Sequence, residues 1–240
     1  MRYGIIADIH ANLEALDAVV GALRDRRVDA YLSVGDIVGY GADPAACIDR
    51  LRELKTTVVA GNHDWAAAGR LSLDYFNDYA REAISLTREM LGPEHLKFLA
   101  ELPPTDIVGD VTLAHGTLYD PVNFDYLLTP YDAHLCFGAQ TTRVCFVGHS
   151  HVPMAFLLDG TVNYSASSTI ELADVEMAIV NPGSVGQPRD ENWRAAYAVY
   201  DSETAVITLE RVEYDIETAT SKILRAGLPE VLAERLWLGK

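Results

Sequence analysis

The stretch VGHSHVP, residues 147–153, places two histidines one residue apart behind a glycine, at the end of an apolar run. Each imidazole has two polar nitrogens, and a buried nitrogen without a hydrogen-bond partner costs free energy. His149 and His151 therefore belong either to an exposed turn or to a site that binds both rings. The residues at the ends of the other predicted strands decide between these interpretations.

Ligand-type side chains also follow four other apolar runs, each of which the pattern predicts to be a strand. Five of the seven histidines lie at these predicted strand ends. Open α/β sheets bind ligands at such strand ends, so the arrangement predicts one shared site. The five segments are Asp8-Ile9-His10, Gly35-Asp36, Gly61-Asn62-His63-Asp64, His115-Gly116 and His149-Ser150-His151.

The residue types of this set favour divalent metal ions. On an extended chain residues i and i+2 point the same way, so Asp8 can face one centre with His10, and His149 with His151. Carboxylate, imidazole and amide groups suit manganese, iron, nickel, cobalt or zinc, whereas a structural zinc site would use cysteine. One metal does not need so many ligands, but two metals about 3.5–4 Å apart that share a carboxylate would use them all.

The order of the predicted elements indicates an α/β fold in one domain, residues 1–240. Strands and helices alternate over the first third of the chain, which favours parallel strands with helices on the faces of the sheet. Asn12 and Asp43 are predicted N-caps of two of these helices. Residues 65–102 form a predicted helical cap-like segment, hairpin-forming strands follow, and residues 216–240 form a predicted helical tail.

Composition limits the partners of the protein. The net charge of −16 repels phosphate backbones, so we expect no long nucleic acid as a partner, and a nuclease is the weaker alternative. No apolar stretch reaches transmembrane length, and the three cysteines form no disulfide pattern. We expect a cytoplasmic protein with no membrane partner. The sequence leaves the oligomeric state open, a homo-oligomer included.

The motifs D-x-H, G-D, G-N-H-D, H and G-H-x-H, in this order, resemble those of the calcineurin-like metallophosphoesterase superfamily. The chain is similar in particular to small bacterial YfcE-type phosphodiesterases and to diadenosine tetraphosphatase-related proteins. The resemblance implies a four-layer α/β/β/α sandwich, in which two packed mixed β-sheets are flanked by helices. It also implies two divalent metal ions, manganese first, with iron, nickel, zinc or cobalt as alternatives. The implied ligands are Asp8, His10 and His151 for one metal, Asn62, His115 and His149 for the other, and Asp36 as the bridge.

This resemblance implies an enzyme, a metal-dependent phosphoester hydrolase acting on phosphodiesters or small phosphomonoesters. A metal-activated hydroxide would attack phosphorus, and His63 would be the catalytic histidine. Asn62, His63 and Arg189 are the candidate substrate-binding residues. Arg189 lies in NPGSVGQPRD, residues 181–190, where it would bind a phosphate oxygen or form a structural ion pair.

One departure from the family pattern separates the alternatives. Serine/threonine phosphatases of the superfamily, and dinucleoside polyphosphate phosphatases, carry G-D-x-V-D-R-G, whereas residues 35–41 read GDIVGYG. Gly39 replaces the aspartate that would orient the catalytic histidine, and Tyr40 replaces a phosphate-binding arginine. Asp64 is a candidate for the orienting role. A non-catalytic scaffold of the retromer-subunit type is the remaining alternative, because the same fold serves there without catalysis.

Aromatic residues near the motifs are candidates for stacking on a base or an aryl leaving group, against the alternative of ordinary packing. These residues are Tyr40, Trp65, Tyr119 and Trp193.

Overall fold

The apolar runs of the sequence form two six-stranded sheets, and helices connect them. The computed structural model describes all 240 residues. The strands are β1 (Arg2–Ile6), β2 (Ala30–Ser33), β3 (Thr57–Val58), β4 (Thr105–Val108), β5 (Val111–Ala114), β6 (Val144–Phe146), β7 (Met154–Asp159), β8 (Thr161–Ser165), β9 (Thr169–Glu171), β10 (Met177–Asn181), β11 (Ala195–Asp201) and β12 (Val206–Val212). The helices are α1 (Leu13–Asp25), α2 (Pro44–Glu53), α3 (Asn62–Ala67), α4 (Asp78–Met90), α5 (Pro93–Glu101), α6 (Pro130–Ala139), α7 (Ile216–Arg225) and α8 (Glu230–Leu238), with a 3₁₀ turn at Leu73–Tyr75.

Both sheets are mixed. The first has the strand order β3-β2-β1-β11-β12-β9, with parallel pairing from β3 to β1 and antiparallel pairing beyond β1. The second has the order β4-β5-β6-β10-β7-β8, and its central strands β5, β6 and β10 are parallel. Each sheet thus contains a parallel block, and the residues that follow the strands of these blocks include the predicted ligands.

Alternating side chains divide the core into layers. Ile5 of β1 packs between the two sheets, whereas its neighbour Ile6 packs against the helices outside the first sheet. Phe137 of α6 covers the outer face of the second sheet. This period-2 alternation is what a strand buried on both faces requires. The predicted four-layer α/β/β/α sandwich is confirmed.

Local sequence signals explain the helix ends, and the structure corrects two expectations and adds one helix. Asn12 Oδ1 accepts a hydrogen bond from the Ala15 N–H at 3.1 Å, which is the predicted N-cap of α1. Asp43 makes no capping bond, because its carboxylate accepts from Lys222 of α7 at 2.8 Å. The G-N-H-D segment does not end a strand: β3 ends at Val58, and α3 begins at Asn62. The pattern also missed α6, although Thr129 and Asp132 form a capping box around Pro130 there.

Left-handed backbone, rather than strand alternation, aims the predicted ligands. The φ angles are 53° at Asp8, 48° at His10, 52° at Asp36, 68° at His149 and 60° at His151. The paired ligands do converge, but not because residues i and i+2 point the same way on an extended chain. That explanation is wrong, since β1 and β6 end before their ligands begin. Non-glycine residues in this region cost roughly 1–2 kcal/mol each, and such strain concentrates at functional sites.

The two helical segments predicted from the sequence lie on the first sheet's side of the molecule. Residues 62–101 contain α3, the 3₁₀ turn, α4 and α5, with the break at Gly92-Pro93 where the sequence indicates it. The last two helices pack on the same core through Ile223 of α7 and Leu232 of α8. No helix of the protein is long and apolar enough to cross a membrane.

Candidate metal centre

Four predicted ligands form the first cluster, which lies where β1, β2 and β6 end. The donor atoms of Asp8, His10, Asp36 and His151 all lie within 4.8 Å of one another, and all four residues are buried. His10 Nε2 lies 3.1 Å from His151 Nε2 and 3.6 Å from Asp36 Oδ2. His151 Nε2 lies 3.5 Å from Asp8 Oδ1. This is the ligand set that the resemblance assigns to one metal together with the bridge.

A second cluster shares Asp36 with the first. It contains Asp36, His115 and His149, whose donor atoms again lie within 4.8 Å of one another. His115 Nε2 lies 3.3 Å from Asp36 Oδ2 and 3.2 Å from Asn62 Oδ1. All seven predicted ligand positions are thus brought together, and Asp36 occupies the position of a bridge between two groups.

Backbone groups hold the carboxylates in place. The His149 N–H donates to both oxygens of Asp8 at 3.1 and 3.2 Å, and the His63 N–H donates to Asp36 Oδ1 at 2.9 Å. Gly61 permits this approach, because a Cβ at that position would lie 2.0 Å from Asp36 Oδ1. The carboxylate oxygens are therefore oriented before any ligand binds.

Backbone carbonyls set the tautomer of three ring ligands. Because a carbonyl oxygen only accepts, each Nδ1 carries a proton, and Nε2 is the nitrogen of each ring that can bind a metal. The neutral rings of His10 and His151 present a lone pair there, whereas His115 must first lose the Nε2 proton that its raised pKa retains. This is how metal-binding imidazoles are oriented in proteins. The pairs are His10 Nδ1 with the Val38 carbonyl at 3.1 Å, His115 Nδ1 with the Val34 carbonyl at 2.7 Å, and His151 Nδ1 with the Gln187 carbonyl at 2.6 Å.

The donor set fits divalent metal ions. The lone pairs of His10 Nε2 and His151 Nε2 face each other at 3.1 Å, an arrangement that is repulsive unless a cation lies between the two nitrogens. Burial lowers the pKa of both rings, which keeps them neutral and able to bind a metal. Nitrogen and oxygen donors without a cysteine suit several first-row divalent ions.

The carboxylates respond to burial in opposite directions. Burial raises the pKa of Asp8 to about 7, although the neighbouring His115 opposes that shift. Burial alone would also raise the pKa of Asp36, but the charges of His115 and His63 outweigh it and hold the value well below the usual range. The pKa of His115 is raised to about 9 because Asp36 and Asp8 outweigh the burial of the ring. The cluster therefore favours positive charge beside Asp36.

Comparison with known proteins agrees with this geometry. A sequence model of the calcineurin-like phosphoesterase superfamily domain matches residues 1–205. The chain belongs to the calcineurin-like phosphoesterase superfamily. The membership that the motifs predicted is confirmed, and the fold is that of the calcineurin-like metallophosphoesterases.

Three similar proteins match this chain over almost its whole length. The uncharacterized protein MJ0912 of Methanocaldococcus jannaschii is 41% identical over 241 residues, which cover 98% of this chain and 97% of that protein. The crystal structure of a metallophosphoesterase from Sphaerobacter thermophilus is 42% identical, covers 100% of this chain and 99% of that one, and has a TM-score of 0.88. The hypothetical protein PH1004 of Pyrococcus horikoshii OT3 shares the fold at 22% identity, with a TM-score of 0.82 over 100% and 98% of the two chains.

Rings rather than an aspartate hold His63, the residue to which the resemblance assigns the catalytic role. Its centroid lies 4.5 Å from that of Tyr40, 5.2 Å from Phe76 and 4.8 Å from His10. Its Nδ1 is buried without a hydrogen-bond partner, and a Cβ on Gly39 would lie 2.3 Å from this nitrogen. Gly39 thus leaves room for the His63 ring where the phosphatase motif carries the orienting aspartate.

Asp64 does not take the orienting role. Its Oδ1 accepts from the N–H groups of Ile37 and Val38 at 2.9 and 3.2 Å, and its Oδ2 accepts from the Gly61 N–H at 3.0 Å. The carboxylate therefore ties together the loops that follow β2 and β3, and the expectation that it contacts His63 is wrong. Sequence adjacency misled here, because neighbouring residues of a helix point in different directions.

Arg189 faces the centre from the NPGSVGQPRD segment. Its Nη2 donates to the neutral Gln187 Oε1 at 3.2 Å, its buried Nε has no partner, and it forms no ion pair. The adjacent Asp190 pairs with Arg211 instead. The structural ion pair considered for Arg189 is therefore absent, and its charge is available to a ligand.

The same segment also supports the ligand loops, a role that the sequence did not indicate. Ser184 Oγ donates to the Asp8 carbonyl at 2.8 Å, and Asn181 Nδ2 donates to the Gly148 carbonyl at 2.6 Å. The turn signal N-P-G marked the loop, but these partners are more than thirty residues away in the chain. Only the folded structure identifies them.

A cavity of about 570 Å³ opens beside the centre and includes His63 and Arg189 in its wall. Of the four aromatic residues considered from the sequence, only Tyr40 lines it. Trp65 packs in the core, where its Nε1 donates to the Leu102 carbonyl at 3.2 Å. The lining rings that sequence reasoning missed are Tyr75, Phe76, Phe124 and Tyr126. No motif lies near these residues in the sequence, so no local pattern indicated that they line the cavity.

Proposed function

We propose that this protein is a metal-dependent phosphoester hydrolase that uses a dinuclear metal centre to cleave phosphodiesters or small phosphomonoesters. The observation that carries the proposal is the pair of buried donor clusters that share Asp36. Membership of a superfamily whose members are generally hydrolases supports it. The cavity beside the clusters supplies room for a small substrate.

Each chemical task of the proposed reaction has a residue that is placed to perform it. Divalent ions held by Asp8, His10, Asp36, Asn62, His115, His149 and His151 would supply Lewis acidity toward water and the phosphoryl oxygens. Arg189 would bind a phosphoryl oxygen with its free guanidinium donors. Asn62 borders the same cavity and would contact the phosphoryl group as well.

His63 acts as a hydrogen-bond donor in this proposal. Burial lowers the pKa of His63 to about 4, so the ring is neutral near pH 7. Its Nδ1 is enclosed beside Gly39, where an unpaired acceptor costs less than an unpaired N–H. The proton then resides on Nε2, which faces the cavity. From there it would stabilise phosphoryl oxygens, and this role fits the lowered pKa better than that of a charged general acid.

The proposal extends to the metal, the substrate size and the compartment. Manganese is the first ion to test, with iron, nickel, zinc and cobalt as alternatives that the same donors accept. Small phosphoesters are favoured over long nucleic acids because the net charge is −16. A cytoplasmic location agrees with three buried free cysteines.

Metal-resolved hydrolysis tests this function. The protein is stripped with a chelator, reloaded singly with manganese, nickel, cobalt, zinc or magnesium, and assayed on bis-p-nitrophenyl phosphate and p-nitrophenyl phosphate. We expect activity that returns with metal and is lost in Asp36→Ala, while Asp159→Asn, an exposed hairpin carboxylate, keeps it. Two bound ions without hydrolysis of any phosphoester would contradict the enzyme and favour the scaffold. Hydrolysis without any metal would contradict the mechanism.

A further inference from the structure

Two separate segments form the walls of the cavity beside the metal centre. One wall comes from the 3₁₀ turn and α4, with Tyr75, Phe76 and Ala80. The facing wall comes from the loop before α6, with Phe124 and Tyr126. A volume of about 570 Å³ lies between the walls, which is within the range of small-molecule sites.

Tyr126 presents an aromatic face to this cavity. One side of its ring stacks on His149, with centroids 4.0 Å apart and an interplanar angle of 21°. No other ring contacts Tyr126, and the residue is 47% exposed. A ring that is fixed on one face and open on the other is a preformed stacking surface for a planar group. The metal ligand His149 sets its position, so the surface lies next to the reaction centre.

Tyr75 faces the same cavity from the other wall with even less protein contact. It is 84% exposed and stacks on no other ring, although it lines the cavity. Phe76 next to it is buried and packs edge-on against His63. Exposed aromatic surface at the mouth of a cavity is unfavourable in water and favours a ligand that covers it. Both walls therefore offer rings to one bound group.

The charged residues on the cavity wall limit the charge that the rest of the ligand can carry. Arg189 is the one lysine or arginine side chain on the cavity wall, and Asp125 lies on the wall beside Tyr126. Arg235 of α8 does not line the cavity, and its Nε donates to the Lys240 carbonyl at 2.8 Å. The divalent ions of the proposed centre and Arg189 would bind the reacting phosphoryl group, and a further phosphate on the Tyr126 side would meet the Asp125 carboxylate. The cavity thus suits one phosphoryl group with an uncharged remainder.

The geometry points to a substrate class: a phosphoester with a single phosphoryl group whose organic part carries a planar, uncharged aromatic ring, bound between Tyr126 and Tyr75. This inference rests on the proposed function for the reaction but not for the binding of the ring. Nucleoside monophosphates and simple aryl or benzyl phosphates share this chemistry. A dinucleoside polyphosphate is disfavoured because its further phosphates would lie beside Asp125, and the wall carries no lysine or arginine other than Arg189.

Matched substrate pairs test the inference in the metal-loaded enzyme. Adenosine 5′-monophosphate is compared with the 5′-phosphate of methyl riboside, and benzyl phosphate with cyclohexylmethyl phosphate, so that each pair has a similar leaving group. We expect kcat/KM for the aromatic member to be at least tenfold higher in one pair or both. The pair that shows the preference identifies the source of the ring. Ratios near one in both pairs would overturn the inference even if hydrolysis is rapid.

Variants of the walls locate the preference. Tyr126→Leu and Tyr75→Ala should each reduce the ratio at least threefold, while Tyr126→Phe retains it. Tyr79→Ala is the matched control, because Tyr79 is a 51% exposed tyrosine of α4 that does not line the cavity. The ratio within a pair cancels any effect of Tyr126→Leu on the metal ligand His149. An equal loss in Tyr79→Ala would contradict the assignment to these walls.

A binding experiment separates this inference from the proposed reaction. Adenosine and ribose, and benzyl alcohol and cyclohexylmethanol, are titrated into the full chain and followed by calorimetry, without any phosphoryl group. The ring-bearing member of at least one pair should bind at least tenfold more tightly, and Tyr75→Ala should remove the difference. Such binding without hydrolysis would support the ring-binding site and contradict the proposed enzyme. Hydrolysis without ring preference in either experiment would support the enzyme and contradict the ring-binding site.

Discussion

The donor clusters and the aromatic walls of the cavity lie next to each other and are held in opposite ways. Asp8, His10 and His151 are buried, have left-handed backbone, and are fixed by hydrogen bonds from distant loops. Tyr75 and Tyr126 are exposed and touch few protein groups. A substitution in the donor clusters would disturb the hydrogen bonds that hold them, whereas an aromatic residue of the cavity wall can be substituted with little effect on the backbone. In the proposed hydrolase, the fold would fix the metal-binding residues and the surface of the cavity would set the specificity.

The largest effect is expected from Asp8→Asn, which keeps the shape of the buried cluster and removes a charge. We expect loss of one metal and a decrease in kcat/KM of about a thousandfold, because the ions supply several kcal/mol of transition-state stabilisation. Metal content by elemental analysis and the p-nitrophenyl esters measure both. Asp159→Asn is the control. Full metal occupancy with normal rates would show that the buried donor clusters tolerate substitution and would contradict the contrast with the cavity walls.

Gly39→Ala should have the next largest effect, because its Cβ would lie 2.3 Å from His63 Nδ1. We expect kcat to fall about a hundredfold, as for loss of the histidine itself, with metal content retained. Gly69→Ala is a matched control, since Gly69 also has a positive φ, 77°, but its Cβ would meet nothing within 4 Å. Equal losses in the two variants would assign the effect to backbone strain rather than to displacement of His63.

The stability of the metal-stripped protein should fall as the pH rises from about 7.5 to 9. The pKa of His115, about 9 in the fold, lies above its ordinary value of 6.5, so its contribution is present below pH 6.5 and is lost as the pH rises through 9. The lowered pKa values of His10, His63, His149 and His151 act in the opposite direction only below this window, where these rings are protonated in the unfolded chain. We expect a loss on the order of 2 kcal/mol in the free energy of unfolding.

Urea unfolding in the presence of a chelator measures this change, and His115→Gln should reduce the pH dependence. Bound divalent ions should reverse the trend, because metal ions favour the deprotonated ligands. Stability of the stripped protein that rises between about pH 7.5 and 9 would contradict the charge balance described for the cluster.

Arg189→Ala should have the smallest effect, because Arg189 lies at the boundary between the two regions. We expect KM to rise about tenfold with both metals retained, since one charge-assisted hydrogen-bonding group is lost. Arg189→Lys should recover only part of this, because lysine lacks the planar pair of donors. Arg194→Ala, which removes an exposed ion pair with Glu213, is the control. Kinetics of Arg189→Ala equal to those of the control would remove Arg189 from the site.

The convergence of the seven predicted ligand positions could be predicted because each lies in a short motif after an apolar run, and most of these motifs follow strands that end at one edge of a sheet. The reason for their convergence was not predictable, since it depends on positive φ angles at Asp8, His10 and Asp36. The free guanidinium of Arg189 was one of two open alternatives, and contacts with Gln187 and Asp190 decide it. The role given to Asp64 was wrong because its partners belong to another loop.

The sequence by itself identified the superfamily through its motifs, and that resemblance implied the four-layer fold and the donor set. Motif order and spacing are local properties of the chain, so they can be recognised without the folded structure. The tertiary structure alone decided how His63 is held, what supports the ligand loops, and that Tyr75 and Tyr126 line the same cavity. These features join segments far apart in the chain, such as Gly39 with His63 and Ser184 with Asp8. Contacts of that kind arise from packing of the layers, and no local pattern encodes them.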